Sequence, residues 1–456
     1  MNQPRLMIAA LQSGSGKTLV TCALLQALVN LGKRPSSFKC GPDYIDPMFH
    51  KKVLGVPSGN LDSYFNDAST LETIFVKESK DSDISIIEGV MGLYDGLAGT
   101  KTTASCYEIA KITKTPIILV VDAHSLARTI VPILAGMKQY DTEHLIQGVI
   151  LNRISSMFYP SLKRCIEEEL QMKVVGYLPK LQENVFTSRH LGLVMPDEVP
   201  EVKRKLQDAA NQLAQTVSMT ELIEIANGTG GLNPQETQLV KGNDSENVRI
   251  GIAKDEAFCF YYRENLELLE ELGVTLCPFS PIKDEKLPEK IHGMILGGGY
   301  PELYLKELSS NTLMLESVRT ALENGMPSLA ECGGFLYLHE QMEDVEGTAY
   351  PLVGIIPGKA TYQGRLVRFG YHEFEALQEG ALLKMGETIR GHEFHYYDSE
   401  NNGQDFRATK PVSGRNFTCI HANENHIWGF AHLNYLSNPA VAMRFVQAAR
   451  EYDKQV

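Results

Sequence analysis

The sequence predicts an α/β protein built as two successive parallel-sheet domains. Three observations carry this. Short apolar runs alternate with helix-length amphipathic segments up to about residue 225, a polar stretch poor in packing residues follows, and a second alternation restarts at Val248. The length of 456 residues agrees, since a single hydrophobic core rarely serves more than about 300 residues.

The first strand is the apolar run at residues 6–11, and it feeds Gln12-Ser13-Gly14-Ser15-Gly16-Lys17-Thr18 and an apolar helix at 19–31. Glycines at 14 and 16 let the backbone wrap a phosphate, and the helix start offers unpaired N–H groups to it. Lys17 is expected to reach the outer phosphates and Thr18 to hold Mg²⁺. The strict G-x-x-x-x-G-K-[ST] spacing is not met, because position 11 is Leu, so this is a looser variant of the P-loop. Cys40-Gly41-Pro42-Asp43-Tyr44-Ile45-Asp46-Pro47 follows a second strand and carries two acids three apart in a proline-framed loop. Residues 84–88 form a buried-strand pattern ending in Glu88, at the carboxyl end where open α/β sheets place ligands. Asp before Pro is also a common turn former, and a strand-end acid can be merely solvated. Further strands are expected at 117–122, 146–152 and 174–178.

Between residues 227 and 247 the composition shifts to Gly, Asn, Pro, Gln, Thr, Ser and Asp, which marks a linker between domains at 1–226 and 248–456. The second domain reads as a strand at 248–253, a helix at 261–272 and a strand at 294–296 that ends in Gly297-Gly298-Gly299. A strand at 326–330 then turns through Glu331-Cys332-Gly333-Gly334. Short β segments dominate after about residue 345, and a helix from 439 to about 452 closes the chain.

Cys332 sits between an apolar run and a Gly-Gly, the form of a strand turning sharply into a helix to expose a nucleophile. The helix start at Gly333 is expected to lower the thiol pKa, with the Gly333 N–H and the Gly298-Gly299 backbone as oxyanion donors. His432 is the candidate base, and His392 and His395 compete for that role. A chain holding both a phosphate cradle and such a cysteine is expected to carry out ATP-driven amidation fed by glutamine.

The formal charge of −13 argues against nucleic-acid partners. Eight scattered cysteines without a C-x-x-C pair point to a reducing compartment and no structural zinc. No span of about 18 apolar residues and no signal-like start occurs, so a soluble, cytoplasmic protein without a membrane partner is expected.

With these motifs assembled, the sequence resembles the cobyrinate a,c-diamide synthase family over almost its full length. The strings that carry the resemblance are SGSGKT, KCGPDYIDPMFH, LDSYF, EGVMGLYDG, SRHLGLV, GGGYPE, ECGGFLYL, GYHEF, RGHEFHY and AHLNYLSNP. The resemblance implies a dethiobiotin-synthetase-like domain followed by a class I type glutamine amidotransferase domain. It further implies that ATP phosphorylates the c and then the a acetate carboxylate of cobyrinate and that ammonia from L-glutamine displaces phosphate. By position it assigns Gly14, Ser15, Gly16, Lys17 and Thr18 to ATP, Asn152 to adenine, and Thr18, Asp43 and Glu88 to magnesium. Tyr44, Ile45, Asp46 and Asp95 fall in the substrate region, and Arg189 and His190 are candidate contacts to substrate carboxylates against an equal reading as surface charges. Cys332 matches the nucleophile and His432 the base, with Gly299 and Gly333 as oxyanion donors. The usual triad places a Glu two residues after the His, whereas this chain has Asn434, so the group orienting the imidazole is unidentified. Free ammonia would be protonated near neutral pH, so a sheltered passage between the sites is expected. Hydrogenobyrinate and nickel sirohydrochlorin are alternative substrates, and a homodimer is one assembly consistent with the sequence. A P-loop ATPase with a regulatory amidotransferase module is the alternative of another class, opposed by Gln12 standing where that group has lysine.

Overall fold

The computed structural model describes residues 3–181, 199–232, 234 and 248–454. The chain divides into two compact units, residues 1–237 and 238–456.

The first unit is built on seven parallel strands: β1 (Arg5–Ala10), β2 (Pro35–Cys40), β3 (Ser58–Leu61), β4 (Ile84–Glu88), β5 (Ile117–Asp122), β6 (Ile146–Asn152) and β7 (Val174–Leu178). Their order across the sheet is β3-β2-β4-β1-β5-β6-β7. Every residue of β1 and β4 is buried, because helices cover both faces of the sheet. Helix α1 (Lys17–Asn30) packs one face through Val20, Leu24 and Leu28, against a layer that includes Leu206 and Leu213. The chain winds outward from β1 toward β3, returns to β4, and continues through β5 on the other side. The loops at the carboxyl ends of β1, β2 and β4 therefore gather around one crevice. The edge strand β3, Ser58-Gly59-Asn60-Leu61, carries too little apolar character to be visible in the sequence. Residues 228–232, which composition assigns to the linker, belong instead to the first unit. Thr229 and Leu232 are buried, and the Gly230 carbonyl accepts a 2.9 Å hydrogen bond from Arg5.

The second unit has a six-stranded sheet. Its order is Val274–Phe279, Val248–Ala253, Gly293–Leu296, Ser328–Glu331, His426–Gly429 and His421–Ala422, and only the last is antiparallel. A separate antiparallel sheet holds Arg368–Ala376, Thr388–His395 and, at its edge, His432–Leu433. Between Gly429 and His432 the chain leaves the parallel sheet and joins the antiparallel one. That crossing brings residues of both sheets to the carboxyl end of Ser328–Glu331. Among the described residues no helix is long and apolar enough to cross a membrane.

Candidate functional site

In the first unit the chain turns out of β1 through Gly14 and Gly16, both at positive φ, of +77° and +94°. A Cβ at Gly16 would lie 2.2 Å from the Asn152 side-chain nitrogen, so only glycine fits beneath that amide. Asn152 in turn donates to the Ser15 carbonyl at 2.9 Å, and Arg153 donates to the Gly14 carbonyl at 2.7 Å. These two residues at the end of β6 brace the loop at residues 14–18. Lys17 is buried, and its ammonium donates to the Gln12 carbonyl at 3.2 Å and to the Met91 carbonyl. Burial lowers its pKa.

Thr18 and Glu88 come together: the Thr18 hydroxyl donates to Glu88 Oε1 at 2.7 Å. Both are oxygen donors of the kind magnesium takes, so these two residues could hold the ion together. Asp43 turns one oxygen into its own loop, accepting from the Ile45 N–H at 2.8 Å and the Asp46 N–H at 3.3 Å. Its other oxygen lies 3.9 Å from the Lys39 ammonium. Tyr44 is buried, Ile45 is half-buried, and Asp46 is 5% exposed. Asp95 accepts from the Gly92 N–H at 2.9 Å. Arg189 and His190 lie outside the described residues.

Two residues of this cluster are ones that motif reasoning did not assign. Lys39, at 4% exposure, donates to Glu88 at 2.8 Å and to Asp46, which makes it the buried counter-charge of three carboxylates. Burial alone would lower its pKa, and Glu88, Asp46 and Asp43 more than reverse the effect. His50, fully buried, faces Glu88 at 3.5 Å and pairs its Nδ1 with Ser37 at 3.0 Å. Burial drops its pKa to about 4, so it stands there uncharged. Glu88, also fully buried, is pushed up to about 7 by burial. The signal was present in the string KCGPDYIDPMFH, which begins at Lys39 and ends at His50.

In the second unit Cys332 is the residue of the turn itself, at φ +48° and ψ −104°, a strained conformation for a side chain bearing Cβ. Its N–H donates to the Gly429 carbonyl at 2.8 Å. The expectation of a lowered thiol pKa is overturned. Burial raises it first, then the nearby carboxylates of Glu302, Glu393 and Glu331, while the Gly333 amide works in the opposite direction. The following helix, Gly333–Tyr337, has five residues, too few for a substantial dipole to offset burial.

Glycines shape the rest of the site. A Cβ on Gly333 would sit 3.1 Å from the Gly299 nitrogen, so the two expected oxyanion donors lie side by side. A Cβ on Gly298 would fall 2.4 Å from Cε1 of His432, and one on Gly299 would fall 2.0 Å from the Ala257 carbonyl. His432 is 2% exposed, and burial lowers its pKa to about 3, which leaves it uncharged at physiological pH. His392, its cross-strand partner, stacks on it with ring centroids 5.0 Å apart and pairs its own Nδ1 with the Tyr262 hydroxyl at 2.9 Å. His395 is stacked on Phe430, with ring centroids 3.8 Å apart, and has Nδ1 against the Tyr397 carbonyl at 2.6 Å. Glu331, immediately before the cysteine, faces His432, and burial pushes its carboxyl up to about 8.

Residues 6–190 match the family model described as the CobQ/CobB/MinD/ParA nucleotide binding domain, and residues 249–439 match the CobB/CobQ-like glutamine amidotransferase domain. Fold and matches together define the class: a nucleotide-binding α/β unit fused to a glutamine amidotransferase unit. Two relatives carry the same name, cobyrinate a,c-diamide synthase. The one from Caldanaerobacter subterraneus subsp. tengcongensis is 38% identical over 453 residues, covering 98% of this chain and 99% of the relative. The one from Listeria innocua is 39% identical over 452 residues, with the same coverage of 98% and 99%. The chain belongs to the cobyrinate a,c-diamide synthase family.

Proposed function

We propose that this protein uses ATP and glutamine to amidate the c and a acetate carboxylates of cobyrinate, in the cytoplasm, as a step of cobalamin biosynthesis. The observation that carries the reading is the presence in one chain of both devices, the Lys17, Thr18, Glu88 and Lys39 cluster and the Cys332 turn beside His432. The substrate follows from relatives of that name, which match the full length.

The chemistry divides between the sites. A carboxylate resists attack by ammonia, so the acetate oxygen first attacks the γ-phosphorus of ATP, giving an acyl phosphate and ADP. Lys17 takes the charge that develops on the outer phosphates. Thr18 and Glu88 fit magnesium, with Asp43 as the third candidate; when bound there it would neutralise charge on the β- and γ-phosphates. Asp46 and Asp95 border the reacting carboxylate, and Lys39 holds Asp46 ionised beside it. At the other site Cys332 passes its thiol proton to His432 while its sulfur attacks the glutamine amide carbon. Gly299 and Gly333 N–H groups receive the oxyanion. His432 then gives the proton to the departing ammonia, and water releases glutamate from the thioester. Ammonia displaces phosphate from the acyl phosphate and leaves the amide.

The test is mass spectrometry of the product formed from cobyrinate, ATP, Mg²⁺ and glutamine, run beside hydrogenobyrinate and nickel sirohydrochlorin. Two acid-to-amide exchanges on cobyrinate, dependent on ATP, are expected. Faster turnover of either other tetrapyrrole, or product without ATP, would refute the assignment.

A further inference from the structure

The position two residues after the base, where a triad would put its glutamate, does not face the imidazole in this protein. The Asn434 side-chain oxygen accepts from the Ser437 N–H at 3.1 Å, and its amide nitrogen donates to Glu264 at 3.4 Å. Asn434 thus caps the short turn at Tyr435–Ser437. A carboxylate approaches the ring from elsewhere: Glu331 Oε2 lies 3.8 Å from His432 Nδ1, with both side chains nearly buried.

We propose that Glu331 is the positioning residue of the glutaminase site, holding the His432 ring in the orientation in which it takes the proton of Cys332. The inference rests on the amidotransferase reading of Cys332 and His432. Three features carry it. Glu331 Oε1 is held by the Leu433 N–H at 3.3 Å and the Tyr435 hydroxyl at 3.4 Å, so two donors from the segment just after the base fix the carboxyl and leave Oε2 to face the ring. Strand register places it there, because Glu331 is the cross-strand partner of Gly429, three residues before His432. The ring is further confined by His392 stacked on it and by Gly298 against Cε1, so rotation out of this orientation meets protein on both sides.

Nucleophile and orienting group are neighbours in sequence, and the base is brought to them from another strand.

The test uses the full-length protein. Glu331→Gln is expected to lower kcat for glutamine hydrolysis by about 100-fold or more. The KM for glutamine should stay within about threefold, since binding contacts are untouched. Glu331→Asp, shorter by one methylene, should recover part of that kcat, and amidation driven by added ammonium should be unchanged in both variants. A Glu331→Gln protein whose kcat stays within about threefold of the parent, or whose loss lies wholly in KM, overturns the proposal. If Glu331→Gln does not fold by thermal unfolding, Glu331→Ala takes its place: a folded variant with parental kcat overturns the proposal. Cys332→Ser in the same assay separates the two failures. If Cys332→Ser still hydrolyses glutamine, the amidotransferase reading itself is wrong, whereas loss there with full activity in Glu331→Gln sinks only the orienting role.

Discussion

The hydroxyl of Thr18 donates to Glu88 Oε1 at 2.7 Å, which joins the first turn of α1 to the end of a strand 70 residues later. This contact ties the loop after β1 to the buried acid that ends β4. Removing the hydroxyl while keeping the shape, as Thr18→Val, should cut amidation from glutamine and from ammonium alike by about 100-fold or more. Hydrolysis of glutamine should persist. The measurement is product formation with each nitrogen source beside glutamate release, and amidation at the parental rate would show that the pair holds nothing the reaction needs.

Gly16→Ala adds a Cβ at φ +94° and 2.2 Å from the Asn152 amide. The left-handed conformation alone costs a side chain about 1–2 kcal/mol, and displacement of Asn152 adds to it, so ATP affinity should fall by about tenfold or more. Calorimetric titration with a non-hydrolysable ATP analogue measures this.

Cys332→Ser should abolish glutamine-dependent amidation and leave activity with added ammonium. Lys17→Ala should do the reverse in the other unit, losing amidation from both sources with glutamine hydrolysis partly retained. Loss of both nitrogen sources in Cys332→Ser would contradict the division into two sites.

Gly298→Ala places a methyl 2.4 Å from Cε1 of His432 and must displace the imidazole. A shift of about 1 Å at a base can cost about 100-fold, so glutamine hydrolysis should drop on that scale while ammonium-dependent amidation survives. Steady-state assays with each nitrogen source check this, and undiminished hydrolysis would place the base elsewhere.

The buried Cys332 thiol, with its pKa pushed up by burial and by Glu302, stays protonated at neutral pH in the absence of glutamine. Below a raised pKa the thiolate fraction grows with pH, so alkylation by iodoacetamide should accelerate about tenfold per pH unit without a plateau below about pH 9. A plateau near neutrality, followed by mass spectrometry of the Cys332 peptide, would reveal a resident thiolate and contradict the electrostatics described here.

The sequence alone determined the features that are local along the chain. The alternation of apolar runs gave strands at Ile84–Glu88, Ile117–Asp122, Ile146–Asn152 and Val174–Leu178. The glycine spacing around Gly14 and Gly16 and around Cys332 marked both turns, because a turn's backbone angles depend on the few residues that form it. Only the tertiary structure decided which distant groups share a site. Lys39 lies beside Glu88 because β2 pairs with β4 in one register, with Lys39 opposite Glu88. Glu331 lies beside His432 because two sheets meet at Gly429, and no spacing rule links a residue to one 101 positions away. The thiol's electrostatics were decided by burial and by carboxylates that folding gathers around it, and these outweigh the five-residue helix that sequence reading had credited. Charge responds to every neighbour in space, and a sequence names only the neighbours in line.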